Sequence, residues 1–330
     1  MTSPRAIGPV RFGPGAEFDL IRRLVNPDDL LPMGVSLGPG DDAAVLEGGW
    51  VVSTDISLED VHFRRGWLEN KEIGFRAVSC ALSDLAAMAA VPVGVFVSMA
   101  ANDGEVVEAL QSGCREAASE AGAVILGGDL SNTSGPVFID VVGLGRTNRP
   151  GLRSGAITGN EIWVTGRLGA SSTAVRVWQS GGEPPPEARK AFARPSPRCE
   201  EGYYLVEQGI ANALIDLSDG LAGDSAHLAA ASGVQIVLEA AAIPVAPIAV
   251  EVLGPEEALQ VALHGGEDYE LCFAAGPDAV DPSYFQDHFG LEITRVGHVC
   301  EGSGVWIDQG GSDPEPLMRS GFDHYAADVL

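Results

Sequence analysis

The chain has 330 residues, 45% of them hydrophobic, which is enough for ordinary cores and, at this length, for two domains of similar size. Aromatics are only 6% while glycines number 42 and prolines 21, so the cores are expected to consist of Ala, Val, Leu and Ile between many tight turns. Forty-six Asp and Glu against 20 Lys and Arg make a surface that repels phosphate backbones and anionic lipid, so no nucleic acid and no membrane is expected among the partners.

In chain order, residues 17–25 carry Phe18, Ile21, Leu24 and Val25 at helical spacing. Apolar runs at 43–46 and 50–53 read as strands joined by a Gly48-Gly49 turn. A helix at 73–88, a strand at 93–99, an amphipathic helix at 105–120 and strands at 124–126 and 137–143 follow. From Ala77 to Asn102 the only charged residue is Asp84, yet Pro92 and Gly94 interrupt the stretch, which therefore reads as a buried helix and a buried strand instead of a membrane span. The Gly/Pro/Arg-rich connection at 146–159 marks a boundary between domains at 1–149 and 150–330.

Beyond it come a strand at 161–165, a helix at 170–179, a Gly/Pro loop at 181–186 and helical segments to residue 208. A strand at 213–217, a helix at 221–231, a strand at 234–238, a helix at 256–263 and strands at 269–273, 293–299 and 305–307 complete the reading. Interleaved strands and helices in both halves imply an α/β or α+β fold. The Glu-rich stretches at 105–120 and 251–257 read as solvated helix faces. Five widely spaced cysteines with no C-x-x-C pair, and no long apolar run in residues 1–10, point to a reducing, cytoplasmic setting.

Five acidic signatures stand at strand ends or inside apolar elements: Gly40-Asp41-Asp42, Ser53-Thr54-Asp55, Ser83-Asp84, Gly127-Gly128-Asp129 and Asp216-Leu217-Ser218-Asp219-Gly220. Singly each fits a turn or a helix cap. Asp84 is different, because a lone carboxylate in an apolar run costs several kcal/mol unless a distant Arg or a shared cation compensates it. Six scattered histidines without H-x-x-x-H make zinc or iron a poor match, whereas many carboxylates beside Ser and Thr hydroxyls suit Mg²⁺ or Ca²⁺. The EF-hand spacing is absent, as is G-x-x-x-x-G-K-[ST]. Without a P-loop lysine, phosphate charge has to be neutralised mostly by metal; carboxylates on several strand ends suggest magnesium with a nucleoside triphosphate, and the reasoning as a whole gives metal-dependent phosphate chemistry.

Taken together and in order, the signatures resemble those of the thiamine-monophosphate kinase family. They are Gly40-Asp41-Asp42-Ala43-Ala44, Ser53-Thr54-Asp55, Asp60-Val61-His62-Phe63, Leu82-Ser83-Asp84-Leu85-Ala86-Ala87-Met88, Gly127-Gly128-Asp129, Arg194-Pro195-Ser196-Pro197-Arg198, Ile215-Asp216-Leu217-Ser218-Asp219-Gly220-Leu221, Gly265-Gly266-Glu267-Asp268-Tyr269-Glu270-Leu271 and Gly321-Phe322-Asp323-His324. The likeness runs from about residue 15 to residue 325. It implies the superfamily of aminoimidazole-ribonucleotide and selenophosphate synthetases, with two α/β domains, a C-terminal α/β domain following an N-terminal mixed sheet, and dimerisation through the N-terminal sheets.

The resemblance further implies ATP-dependent phosphorylation of thiamine monophosphate to thiamine diphosphate by direct in-line transfer, the last step in making that product. By matching position, Asp42, Ser53, Thr54, Asp55, Asp84, Asp129, Asp216 and Asp219 would hold several Mg²⁺ ions, with Asp42, Asp84, Asp129 and Asp216 the catalytic set. Gly128, Asp129, Arg153 and Ser218 would contact ATP, and His62, Glu267 and Phe322 the substrate. A requirement for K⁺ is left open. Pro39 before Gly40, Ala89-Ala90-Val91-Pro92 after Met88, and Leu130-Ser131-Asn132 after Asp129 depart from the family pattern without removing a ligand. The alternatives are a synthetase with another acceptor, such as a selenophosphate-forming one, or a non-catalytic acidic scaffold. The first cysteine, Cys80, lies deep in an apolar helix and speaks against a selenophosphate-forming enzyme, the motifs around His62 and Glu267 favour the thiamine reading, and the full set of aspartates speaks against the scaffold.

Overall fold

The computed structural model describes residues 6–311, 313–317 and 321–325. Its first half runs α1 (Ala16–Leu24), β1 (Val35–Leu37), β2 (Ala44–Leu46), β3 (Trp50–Leu58), α2 (Asn70–Ala87), β4 (Val91–Ala101), α3 (Gly104–Glu120), β5 (Val124–Asn132) and β6 (Phe138–Arg146). These strands form one sheet in the order β1-β2-β3-β6-β4-β5, antiparallel except for the parallel pair β4 and β5. Residues 147–160 carry no helix or strand.

The second half runs β7 (Glu161–Thr165), α4 (Ala170–Gln179), α5 (Pro186–Ala193), α6 (Cys199–Glu207), β8 (Ala211–Asp216), α7 (Leu221–Ser232) and β9 (Gln235–Glu239). It continues through α8 (Pro247–Leu253), α9 (Pro255–His264), β10 (Leu271–Ala275), α10 (Pro282–Phe289), β11 (Ile293–Cys300), β12 (Gly304–Asp308) and β13 (Glu315–Pro316). Its sheet has the order β13-β12-β9-β11-β7-β10-β8, with only β12 and β9 parallel. The fold is thus mixed α/β, built on two mixed sheets.

The two sheets bury their faces differently, and strand periodicity shows how. On β10, Leu271, Phe273 and Ala275 join one apolar cluster while Cys272 and Ala274 join another on the opposite face. The second sheet is therefore covered on both sides, which is why its central strands read as unbroken apolar runs. The first cluster continues through α2 and under the first sheet, where it includes Leu82, Val95, Val97 and Ile139. The other face of that sheet is open: Val91, Val93, Phe96, Val124 and Leu126 are exposed. The strand expected at 93–99 is consequently buried on one side only.

Three further differences have local causes. The strand expected at 124–126 extends to Asn132, because pairing with β4 carries it through Gly127-Gly128-Asp129. The strand expected at 269–273 starts at Leu271, since Glu267 (φ 67°) and Tyr269 (φ 51°) occupy left-handed backbone that cannot enter a ladder. Helix α10 was signalled but not read: Asp281 accepts from the Ser283 and Tyr284 amides (3.0 and 3.2 Å), Pro282 opens the helix and Gly290 (φ 63°) ends it. All five cysteines are free thiols. Among the described residues no helix is long and apolar enough to cross a membrane.

Candidate functional site

Helix α2 is the spine of the site. Glu72 in its first turn accepts from the Glu69 amide (2.9 Å) and from both terminal nitrogens of Arg189 (2.7 Å each), which anchors the entry. Arg76, Cys80, Ser83 and Asp84 follow at helical spacing and lie along one side of the buried helix. Near its C-terminal end, Ser83 Oγ donates to Oδ2 of Asp216 (2.6 Å), the buried last residue of β8.

At that end the chain gathers carboxylates. Asp42, Asp84 and Asp216 each offer an oxygen, all within 4.8 Å of one another. Arg153 binds Asp42 Oδ1 through Nη2 (2.6 Å) and Nε (3.1 Å), and its amide donates to Asp41 Oδ1 (3.2 Å). Asp42 Oδ2 is buried and has no hydrogen-bond partner. Burial, then the neighbouring Asp216, Asp55 and Asp42, push Asp84 well above the usual carboxylate range. Burial and Asp42 raise Asp216 to about 7, and the same two causes raise Asp41 to about 7. Asp55 is raised to about 7 by burial and by Glu267.

Arg153 and Arg76 are the cations that lower these carboxylates, and Arg76 is committed to Glu267. Negative charge is therefore in excess, and one oxygen of a cluster carboxylate is buried without a hydrogen-bond partner. The donors are all hard oxygens, so the set fits Mg²⁺.

A second group, Asp219, Asp224 and His227, also lies within 4.8 Å. Here backbone donors already occupy the ligand atoms: Asp224 Oδ2 accepts from the Asp219 and Gly220 amides (3.2 and 3.0 Å), and His227 Nδ1 from the Gly13 amide (3.0 Å). His227 thus holds the segment before α1, while Asp224 holds the loop after β8, which carries Asp219. That carboxyl is raised to about 7 by burial, Glu17 and Asp216.

At the other end of α2 the charges balance. Arg76 pairs with Glu267, donates to the Phe192 carbonyl (2.7 Å) and lies over the Phe192 ring at 4.0 Å. Glu267 also accepts from the Tyr269 hydroxyl (2.8 Å), and its amide donates to the Ser218 carbonyl (2.8 Å), which ties this corner to the Asp219 loop. Gly266 (φ 67°) allows that approach, since a Cβ there would lie 2.4 Å from the Ser218 oxygen. His62 Nδ1 accepts from the Leu58 amide (3.0 Å), and its Nε2 lies 3.3 Å from His324 Nε2. His62 therefore carries its proton on Nε2 and donates it to His324. Burial and His324 press His62 down to about 4, so it is neutral. Phe322, half-exposed, meets His324 edge to face at 4.9 Å.

The structure thus brings together Asp42, Asp55, Asp84, Asp216 and Arg153, sets Ser218 and Asp219 on the adjoining loop, and places His62, Glu267 and Phe322 around a second corner. Ser53 is on the Asp55 side of β3, buried and bonded to the Ala81 carbonyl (3.3 Å). Thr54 faces the opposite way, exposed, with Oγ1 on Asp140 Oδ1 (2.9 Å). Gly128 and Asp129 lie on the exposed edge strand β5, outside the carboxylate cluster. Gly128 is needed there because a Cβ would sit 1.8 Å from the Val97 carbonyl. A cavity of about 1080 Å³ between α2, α3, α6 and α10, lined by Phe75, Arg194 and Tyr204 among others, contains none of these residues.

Sequence reasoning missed Arg76, Ser83 as the Asp216 partner, Asp224, Tyr269 and His324. Arg76 had one signal, as a basic residue a little over two turns before Asp84 on the same helix face. For the others only long-range packing supplies the role.

The AIR synthase related protein, N-terminal domain family matches residues 40–147. The thiamine-monophosphate kinase of Rhodopirellula baltica is 34% identical over 311 residues, 89% of this chain and 93% of that one. The solved thiamine-monophosphate kinase of Stenotrophomonas maltophilia aligns with TM-score 0.74 at 33% identity, over 91% of this chain and 98% of that one. The structure described as AaThiL complexed with AMPPCP and TMP aligns with TM-score 0.80 at 28% identity, over 93% and 96%. Ordered signatures, assembled carboxylates and near full-length similarity agree: the chain belongs to the thiamine-monophosphate kinase family.

Proposed function

We propose that this enzyme transfers the γ-phosphoryl group of ATP to thiamine monophosphate, and that the carboxylate cluster is the centre of that reaction. A phosphate oxygen of thiamine monophosphate bonds to the γ-phosphorus as the β,γ-anhydride bond breaks, releasing ADP and thiamine diphosphate. The observation that carries the reading is the buried, partnerless Asp42 Oδ2 beside Asp84 and Asp216. A relative described as complexed with an ATP analogue and TMP supports it.

Asp42, Asp84 and Asp216, with Asp55, Ser53 and Asp219 adjoining, are the residues that would hold Mg²⁺, which when bound supplies the positive charge that ATP phosphates require. Arg153 orients Asp42 and places one guanidinium beside the phosphates. Raised carboxyl groups at this centre mean that cation and substrate binding release protons. At the acceptor corner, neutral His62, the Arg76–Glu267 pair and the Phe322 ring hold thiamine monophosphate. Ser218 on the loop after β8, with Gly128 and Asp129 on the first sheet, completes the ATP side.

The domains are read as 1–149 and 150–330, with the active centre between them. The open apolar face of β4 and β5 is read as a homodimer interface, since five large apolar side chains there have no cover. The setting is cytoplasmic, as free thiols and a soluble biosynthetic substrate favour. The test is a coupled assay with ATP, Mg²⁺ and thiamine monophosphate, with free thiamine as control. Thiamine diphosphate formed only from the monophosphate and abolished by EDTA is expected; no product under those conditions moves the assignment to another acceptor. Sedimentation of the same preparation at twice the chain mass is expected, and a monomer refutes the interface.

A further inference from the structure

Helix α1 is weakly held by its own sequence. None of its nine residues is buried, and Gly15 at its N-cap position supplies no side-chain cap. The missing cap comes from 307 residues away: Asp323, itself buried, accepts from the Ala16 amide through Oδ2 (2.5 Å) and from the Glu17 amide through Oδ1 (3.2 Å). Asp323 Oδ1 also accepts from the Tyr325 amide (2.8 Å). The residues on either side of Asp323 belong to the acceptor corner. Phe322 donates its amide to the carbonyl of Asp219 (2.9 Å), and His324 meets His62 at 3.3 Å while its amide reaches Glu17 Oε2 (3.4 Å).

We propose that Asp323 is a positioning residue for the acceptor: by clasping the α1 N-terminus it holds Phe322 and His324 against His62 and the Asp219 loop, and so shapes the subsite for thiamine monophosphate. The inference rests on the reading of that corner as the acceptor subsite. Phe322 and Tyr325 are exposed, so the segment 321–325 is held by its polar contacts more than by apolar burial, and Asp323 makes the buried, charged one among them. The far side of the clasp is fixed independently: Arg22 binds the Phe12 and Gly13 carbonyls (2.7 and 2.6 Å), and Phe18 packs on the His227 ring at 4.0 Å. A carboxylate joining a fixed helix end to a short segment with two acceptor-facing rings therefore acts chiefly on acceptor geometry, since the segment's tie to the Asp219 loop is through backbone atoms.

The experiment separates clasping from simple capping. Asp323→Ala is expected to lower the melting temperature and raise the KM for thiamine monophosphate on the order of tenfold, the loss of one charged positioning contact, with the KM for ATP unchanged. Adding Gly15→Ser offers a local cap: Gly15 has extended backbone (φ 162°), and once the Asp323 oxygen (3.0 Å) is gone the new Cβ requires only that the Phe18 ring edge (2.9 Å) give way by a few tenths of an ångström while it stays on His227. The double variant is expected to regain thermal stability and keep the raised KM. Recovery of both, or an unchanged KM in Asp323→Ala, overturns the proposal. Should Asp323→Ala not fold, Asp323→Asn keeps one acceptor oxygen and is expected to show the same KM split on a smaller scale; no split overturns the proposal. A wild-type chain that makes no thiamine diphosphate defeats the functional reading itself. The clasp is then read by amide exchange: exchange at Phe322 is expected to speed in Asp323→Ala and stay fast in the double variant, and unaltered protection at Phe322 overturns it.

Discussion

The two ends of α2 handle buried charge in opposite ways. Around Arg76 the polar groups have partners: its guanidinium meets the Glu267 carboxylate, which also accepts from the Tyr269 hydroxyl, and the His62 and His324 rings meet through their Nε2 atoms. Around Asp84, carboxylates outnumber cations and one oxygen has no partner. The first arrangement is complete as folded and serves to shape a site. The second is a deficit that the bound state must fill, because like charges brought together at this distance raise one another's pKa and cost stability until a cation arrives. One helix thus joins a preorganised corner to an electrostatically unfinished one.

The strongest way to break this comparison is Asp84→Asn. Turnover is expected to fall at least about a hundredfold. In EDTA the melting temperature is expected to rise, since the substitution removes a carboxylate that burial and its neighbours disfavour. Full activity in the folded variant, or a fall in melting temperature without metal, contradicts the deficit. At the other end the sign reverses. Arg76→Met leaves Glu267 without its cation and is expected to cost about 3 kcal/mol in a urea titration, because a paired buried charge has been orphaned. A loss under about 1 kcal/mol makes the pair a surface contact in energetic terms.

Acid sharpens the contrast. Asp41, Asp55, Asp216 and Asp219 stand at about 7 when folded against an ordinary 3.8, so between those values the folded chain binds more protons than the unfolded one. Stability of the metal-free protein should therefore fall as pH rises from about 4 to 7. His62 and His227, pressed down to about 4 and about 3, oppose this below 6.5, but two histidines are outnumbered by four carboxyl groups. Saturating Mg²⁺ is expected to flatten the slope. Melting curves at several pH values, with EDTA or Mg²⁺, check it; a metal-free protein that gains stability from pH 5 to 7 excludes the raised carboxylates. The smallest effect is expected at Thr54→Val, where turnover should change less than about tenfold, because the hydroxyl faces Asp140 and not the cluster. A larger fall would put Thr54 among the ligands, reached from the other face of the sheet.

Much of this was legible in advance, for identifiable reasons. Asp84 stood out because an apolar run leaves an ionised group no local escape, and the helix carrying it was read at 73–88 against 70–87 found. Asp216 ends a strand, where side chains gather at a sheet edge. The exposure of Val93 and Phe96 does not follow from period two, because the ladder shifts register between Pro92 and Gly94, and a run of Val, Ala and Pro is equally apolar on both faces. Glu267 was placed beside glycines, but the positive φ at Glu267 and Tyr269, and the partners that hold it, follow from the fold around them.

The chain by itself determined its element types, its excess of carboxylates and which aspartates sit where solvent is scarce, since periodicity and local hydropathy are properties of neighbouring residues. Only the tertiary structure decided which charge meets which. Arg153 and Asp42 are 111 positions apart, Arg76 and Glu267 191, and Asp323 caps a helix 307 positions away. Coulomb and hydrogen-bond energies depend on distance in space, and that distance exists only after the two sheets have closed around α2.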